Sequence, residues 1–124
     1  MIVGEVKPGH EASVSLTVVG PGDRQINFDA VVDTGFTDYL TIPSRWVNEL
    51  GLRFRESMTY ELANGEFATF ALYEVRVSWD GRWRNIVASV ADGGPLVGMA
   101  LLHGHRLTVD VIDGGRVEVR PLEV

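Results

Sequence analysis

Asp33-Thr34-Gly35 is the segment of this chain whose residue types can do acid–base chemistry. An apolar run, residues 30–32, leads directly into the aspartate, and Phe36 follows the glycine. Apolar residues on both sides predict a carboxyl group in a setting of low dielectric constant, where it has to be hydrogen-bonded, paired or protonated. A lone aspartate at the end of a strand is more often a turn residue or a helix cap, so the tripeptide alone assigns no function.

His103 and His105 could offer two ligands to a metal ion. The sequence supplies no third ligand at a suitable spacing, which favours surface residues at the end of a short helix. The chain has no cysteine, which excludes thiolate zinc sites, a cysteine nucleophile and a disulfide framework. We therefore predict an activity that uses no metal and no cofactor.

A mostly-β fold is predicted to position the aspartate. The dipeptides Asn64-Gly65, Asp80-Gly81 and Asp113-Gly114 lie between runs of β-branched and aromatic residues and are typical of tight hairpin turns. Two segments, residues 43–50 and 98–104, break the alternation and predict one short helix each. Alternating apolar residues predict seven or eight strands, through Val14, Leu16 and Val18; Ile26, Phe28, Ala30 and Val32; Phe70, Leu72, Val75 and Val77; Ile86, Ala88 and Val90; Leu107, Val109 and Val111; and Val117 and Val119.

Length and charge limit the classes of function. The chain has 124 residues, which corresponds to one domain, taken here as residues 1–124. There are 17 acidic and 11 basic residues, giving a net charge of −6 without any basic run, which argues against binding to nucleic acid or anionic lipid. No apolar stretch approaches the roughly 20 residues of a membrane helix, and the N-terminus lacks the pattern of a signal peptide. The sequence therefore predicts a soluble, cytoplasmic protein.

Three features, in this order, resemble the retropepsin-like aspartic peptidases, in particular their small bacterial single-domain members. The first is the apolar strand that runs into Asp33-Thr34-Gly35 and continues to Pro43. The second is a hairpin with its turn at Asn64-Gly65, where the family has its flap. The third is Leu96-Val97-Gly98 before a short helix, which is similar to the family's apolar-apolar-glycine sequence. Together the three features span the chain from about residue 10 to about residue 120.

This resemblance implies a fold and a chemistry. The fold is the closed β-barrel of the acid proteases, mostly β, with one or two short helices. In that family two facing aspartates share one proton, because two like charges in contact do not both ionise easily. One carboxylate acts as general base toward a water held between them. The other is protonated, polarises the scissile carbonyl group and passes its proton to the leaving amine.

Residue roles follow from the same resemblance. Asp33 is the catalytic residue, Thr34 cross-links two active-site loops by hydrogen bonds, and Gly35 offers its N–H to the carboxylate. The loop that carries Asp33 is supported by Leu96, Val97 and Gly98.

Substrate contacts are implied at two further places. The flap tip, formed by Ala63, Asn64 and Gly65, closes over a bound peptide and excludes water. Phe36 stands where better-known members have alanine or serine, and narrows the pocket beside the aspartates. Asp38 falls near a position that contacts the substrate backbone, and a solvated loop acid is its alternative interpretation.

One aspartate does not make a pair. The sequence contains no second Asp-Thr-Gly or Asp-Ser-Gly, and the other Asp-Gly pairs lack the hydroxyl residue. The second carboxyl group must therefore come from another copy of the chain, related by a twofold axis. We predict an aspartic endopeptidase that acts as a homodimer on peptide or protein substrates.

Two other classes of function stay open. A peptidase-like fold that binds peptides or dimerises without turnover would keep the sheet and the dimer and would need no shared proton. An aspartate after a buried strand also accepts phosphoryl groups in some enzymes. That chemistry needs a parallel α/β layout and further acids for magnesium, which the turn-rich β pattern disfavours.

Overall fold

The computed structural model describes residues 1–123, which form ten strands and two short helices. In chain order they are β1 (Ile2–Lys7), β2 (Glu11–Val19), β3 (Gln25–Val32), β4 (Leu40–Ile42), α1 (Arg45–Leu50), β5 (Arg53–Glu61), β6 (Phe67–Trp79), β7 (Arg82–Val90), β8 (Leu96–Val97), α2 (Met99–Leu102), β9 (His105–Val109) and β10 (Arg116–Pro121).

The strands form one sheet that closes on itself. Their order is β5-β6-β7-β4-β8-β3-β2-β1-β10-β9, and β2 pairs in addition with β6, where Val18 lies opposite Val77. Six strands, β6-β7-β4-β8-β3-β2, therefore make a ring, from which β5 extends on one side and β1-β10-β9 on the other. The predicted mostly-β closed fold is confirmed.

The core is formed by buried residues of the ring strands together with buried valines of β1 and β10. Val14, Leu16 and Val18 of β2 are buried, because their alternation puts all three side chains on one face of the strand. Helix α1 contributes Trp46 and Leu50 to this core, and these two residues are one helical turn apart and almost fully buried. The helix ends where Gly51 adopts a left-handed conformation with φ of 61°.

The predicted hairpin turns are present. Asp80 and Gly81 both have positive φ, at 52° and 80°, as a two-residue turn between β6 and β7 requires. Gly65 has φ of 84° in the turn between β5 and β6, and Gly114 has φ of 76° in the loop between β9 and β10.

The predicted number of seven or eight strands was too low. Strands β4 and β8 have three and two residues, too short for alternation to be visible, and they are held by their neighbours on both sides. Strand β1 was also missed. Both helices are shorter than the segments predicted for them. Val111, assigned to a strand, lies in the β9–β10 loop with 70% of its surface exposed.

No helix among the described residues combines the length and the apolar character needed to cross a membrane.

Candidate active site

Strand β8 fixes the point at which the chain leaves β3. The two strands are parallel, with Val31 opposite Leu96 and Val32 opposite Val97. The backbone N–H of Asp33 donates to the carbonyl oxygen of Val97 at 2.9 Å. Asp33 is therefore the first residue beyond the sheet, and its backbone is held by the strand that carries Leu96 and Val97.

The Asp33 carboxylate is held by its own loop. Its Oδ1 accepts a hydrogen bond from the backbone N–H of Gly35 at 2.9 Å, the interaction that the resemblance implies. The N–H of Phe36 donates to the carbonyl oxygen of Asp33 at 3.1 Å and closes the turn. The backbone of the loop therefore fixes the position of the Asp33 side chain.

The sequence predicted a more buried carboxyl group than a single chain provides. Asp33 is half-buried, and Thr34 and Gly35 are exposed. The apolar residues before Asp33 do not surround its carboxyl group. Ala30 is fully buried in the core, whereas Asp33 lies past the end of β3. In one chain the carboxylate therefore faces an open surface.

Gly98 fits against the loop of residues 33–39, called here the Asp33 loop. A β-carbon at this position would lie 2.6 Å from the ring of Phe36 and 2.8 Å from its carbonyl oxygen, and closer still to the carbonyl oxygen of Asp38. Three backbone hydrogen bonds join the two segments, from Gly98 to Tyr39 (3.0 Å), Met99 to Phe36 (2.8 Å) and Ala100 to Asp38 (3.2 Å). The start of α2 thus determines the shape of the Asp33 loop.

A buried hydroxyl group completes this support. The Oγ1 of Thr41, on β4, accepts the backbone N–H of Leu96 at 2.8 Å, and Thr41 is 7% exposed. A buried donor or acceptor without a partner is costly, so this bond couples the positions of β4 and β8.

Thr34 lies beside Asp33 on the same open surface. It is exposed, and its hydroxyl makes no hydrogen bond within residues 1–123 of one chain.

Asp38 is not a solvated loop acid, which was its alternative interpretation. It is half-buried, and its Oδ2 accepts a hydrogen bond from the hydroxyl of Tyr60 at 2.6 Å. The contact with a substrate backbone stays a prediction.

Tyr60 lies on β5, in the hairpin whose turn was assigned to the flap. The turn residues Ala63, Asn64 and Gly65 are exposed, and the Asn64 side-chain oxygen accepts the N–H of Glu66 at 2.9 Å. Sequence analysis missed Tyr60. Its one local signal is the alternation of Met58, Tyr60 and Leu62, which places an aromatic ring on the same face of the hairpin as two apolar residues. The bond to Asp38 places that face next to the Asp33 loop.

The Asp38 carboxylate changes the acidity of Tyr60. The hydrogen bond from the phenol to Asp38, together with partial burial and the negative charges of Asp38 and Glu56, raises the pKa of Tyr60 to about 12. The raised pKa means that this bond stabilises the folded chain below pH 10 and is lost as the pH rises toward 12.

The difference in phenolate absorbance between wild type and Tyr60→Phe is expected to titrate with a midpoint near 12. A midpoint near 10 would contradict the contact.

The histidines do not form a ligand pair. His103 is exposed, but His105 is half-buried in β9, where its Nε2 lies 3.3 Å from the indole N–H of Trp79. The prediction that both are surface residues was therefore wrong for His105. Within residues 1–123 no three His, Asp or Glu side chains are grouped so that they could hold a metal ion.

A family model and several solved structures of similar fold match the chain. A family model described as aspartyl protease matches residues 14–119. A retropepsin-like aspartic protease from Rickettsia conorii has a TM-score of 0.59 and 17% sequence identity, covering 94% of this chain and 87% of that chain. The EIAV protease complexed with the inhibitor HBY-793 has a TM-score of 0.56 and 17% identity, covering 72% of this chain and 82% of that chain. No curated protein matches the chain significantly.

Proposed function

The chain belongs to the aspartyl protease family, and from this premise we propose that it is an endopeptidase that works as a homodimer, with one Asp33 from each chain at a shared site. The observation that carries the proposal is the Asp33 carboxylate itself. It lies half-exposed on an open surface, fixed by the N–H of Gly35, in a chain with a single Asp-Thr-Gly. A twofold axis beside this loop brings two copies of the same carboxyl group into contact.

Two such carboxyl groups would share one proton, because the charge on one disfavours ionisation of the other. The ionised Asp33 takes a proton from a water molecule, whose oxygen attacks the carbonyl carbon of the peptide bond. The protonated Asp33 gives its proton to the carbonyl oxygen, and a diol forms. The Asp33 that took the water proton then gives it to the amide nitrogen, the other Asp33 takes a proton from a hydroxyl group of the diol, and the C–N bond breaks. The products are a carboxylic acid and an amine, and the pair again holds one proton.

The other residues have supporting roles in this proposal. The exposed Thr34 hydroxyl bonds to the Asp33 loop of the partner chain, since it makes no hydrogen bond within residues 1–123 of its own chain. Leu96, Val97 and Gly98 keep the loop in place through the contacts described above. Phe36 narrows the pocket beside the two carboxyl groups.

The β5–β6 hairpin covers the site of the two carboxyl groups. Its turn, at Ala63, Asn64 and Gly65, is exposed and closes over an extended peptide, which excludes water from the carboxyl groups. Asp38 keeps Oδ1 free for a backbone N–H of the peptide, since its hydrogen bond to Tyr60 uses Oδ2.

The dimer requirement gives the first test. A peptide library is digested at several acidic and neutral pH values, and the solution mass is measured on the same preparation. Cleavage per chain is expected to fall on dilution together with the dimer mass, because a single chain holds only one of the two carboxyl groups. Constant cleavage per chain at the mass of a monomer would contradict the proposal. Peptides bound but uncut at every pH would support the binding module instead.

A further inference from the structure

Strand β5 is the least supported part of the sheet. It lies at one end of the strand order, with β6 as its only neighbour among the described strands. Eight of its nine residues, Arg53–Glu61, are exposed, and only Tyr60 is partly buried. A two-stranded hairpin of this kind is marginally stable by itself, so its position depends on what it contacts outside β6.

One side-chain hydrogen bond supplies that contact. Arg55 and Thr59 of β5 bond to Glu74 and Thr69, which are both on β6. Among the described residues, only the bond from Tyr60 to Asp38 joins a β5 side chain to a different part of the molecule. The Tyr60 ring also packs against Phe70 of β6, with ring centroids 5.8 Å apart.

The acceptor is on a rigid segment. The carbonyl oxygen of Asp38 accepts the N–H of Ala100 at 3.2 Å, and Gly98 packs against the same peptide group. An O–H···O⁻ bond of 2.6 Å in a partly buried place is among the stronger hydrogen bonds in proteins. Tyr60 therefore connects a weakly held hairpin to the loop that presents Asp33, at a distance of 22 residues in the chain.

We propose that Tyr60 is a positioning residue of the active site, which docks the β5–β6 hairpin onto the Asp33 loop through Asp38. The docked hairpin sets the height of the cleft above Asp33, and undocking opens it for a peptide to enter or leave. Oδ2 of Asp38 binds the hairpin through Tyr60, and Oδ1 is left for a backbone N–H of the peptide. A bound peptide and the closed hairpin are therefore held by the same carboxylate. This inference rests on the proposed function only for its effect on cleavage.

The docking itself is tested by hydrogen exchange of the backbone amides of residues 59–69, in wild type, Tyr60→Phe and the matched control Tyr73→Phe. Tyr73 is on the same hairpin, packs against Phe54 and makes no side-chain hydrogen bond among the described residues. Exchange is expected to become about tenfold faster or more in Tyr60→Phe, since a hydrogen bond to a charged group is lost. Tyr73→Phe should exchange like wild type.

Asp38 variants distinguish the bond from a general loss of packing. Asp38→Ala should match Tyr60→Phe, and the double variant should be no faster than either single one, because all three remove the same bond. Asp38→Asn keeps an acceptor oxygen and should fall between wild type and Asp38→Ala. Unchanged exchange in Tyr60→Phe, or additive effects in the double variant, would overturn the proposal.

Cleavage kinetics then connect the docking to the reaction. Tyr60→Phe should raise KM for a peptide about tenfold with a smaller change in kcat, because the closed state is less populated while the carboxyl groups are intact. Faster exchange in Tyr60→Phe together with the kcat and KM of wild type would overturn the positioning role. If wild type cleaves no peptide at all, the proposed function fails, and the exchange experiment still decides whether Tyr60 docks the hairpin.

Discussion

Replacing Asp33 by asparagine is expected to lower the rate of peptide cleavage by about 10³-fold or more. In a homodimer the substitution removes both carboxyl groups, so neither a general base nor a shared proton is left. The fold should survive, because the asparagine side-chain oxygen can still accept the N–H of Gly35, as Asp33 Oδ1 does at 2.9 Å. Cleavage of a fluorogenic peptide, with circular dichroism and solution mass on the same sample, measures both statements.

Asp29→Asn is the matched control for this loss. Asp29 lies on β3, the strand that leads into the Asp33 loop; its Oδ1 accepts the hydroxyl of Ser15 at 2.6 Å, and the residue is exposed. The two variants change the net charge equally, yet Asp29→Asn should cleave like wild type. Full cleavage by Asp33→Asn, or an equal loss in both variants, would move the chemistry away from Asp33.

Gly98→Ala is expected to unfold the active-site region, at a cost of about 3 kcal/mol or more. The new methyl group would lie 2.6 Å from the Phe36 ring and within contact of two backbone carbonyl oxygens, which cannot rotate away as a flexible side chain would. Relief requires the Asp33 loop to move off α2, with loss of the backbone bonds that Met99 and Ala100 donate. A denaturant titration should show this loss, and thermal unfolding should shift down by about 10 °C or more.

The cost at Gly98 comes from lack of space and not from backbone strain. Its φ of −104° and ψ of 179° suit any residue. Gly94→Ala is therefore a sharp control, because it makes the same chemical change four residues earlier, where nothing lies within 4 Å of the added β-carbon. Gly94→Ala should be about as stable as wild type. Equal stability of the two variants would show that α2 does not determine the loop.

The sequence was informative where the determinants are local. Dipeptides such as Asp80-Gly81 specify a turn through the positive φ that both residues adopt. The alternation in β2 follows from having one face on the core. The tripeptide that begins at Asp33 and the glycine at position 98 were found through a resemblance to a family, and not through periodicity.

What the sequence did not predict depends on contacts between distant segments. Strand β8 has two residues and is defined by its partners β3 and β4, so no window of sequence can show it. The hydrogen bond between Tyr60 and Asp38 joins positions 22 residues apart, and neither residue type predicts the presence of the other. The exposure of Asp33 was not predicted either, because an apolar run before an acid indicates the burial of the strand and not the direction of the next side chain.

In the proposed dimer, cleavage requires two Asp33 carboxyl groups, one from each chain. A mixing experiment tests this requirement: wild-type and Asp33→Asn chains are combined in equal amounts, unfolded and refolded together, and cleavage is measured at constant total chain concentration. With random pairing, only about one quarter of the dimers hold two aspartates. Cleavage is therefore expected to fall to about a quarter of the wild-type value. A fall to only one half, as for chains that act independently, would contradict the shared site.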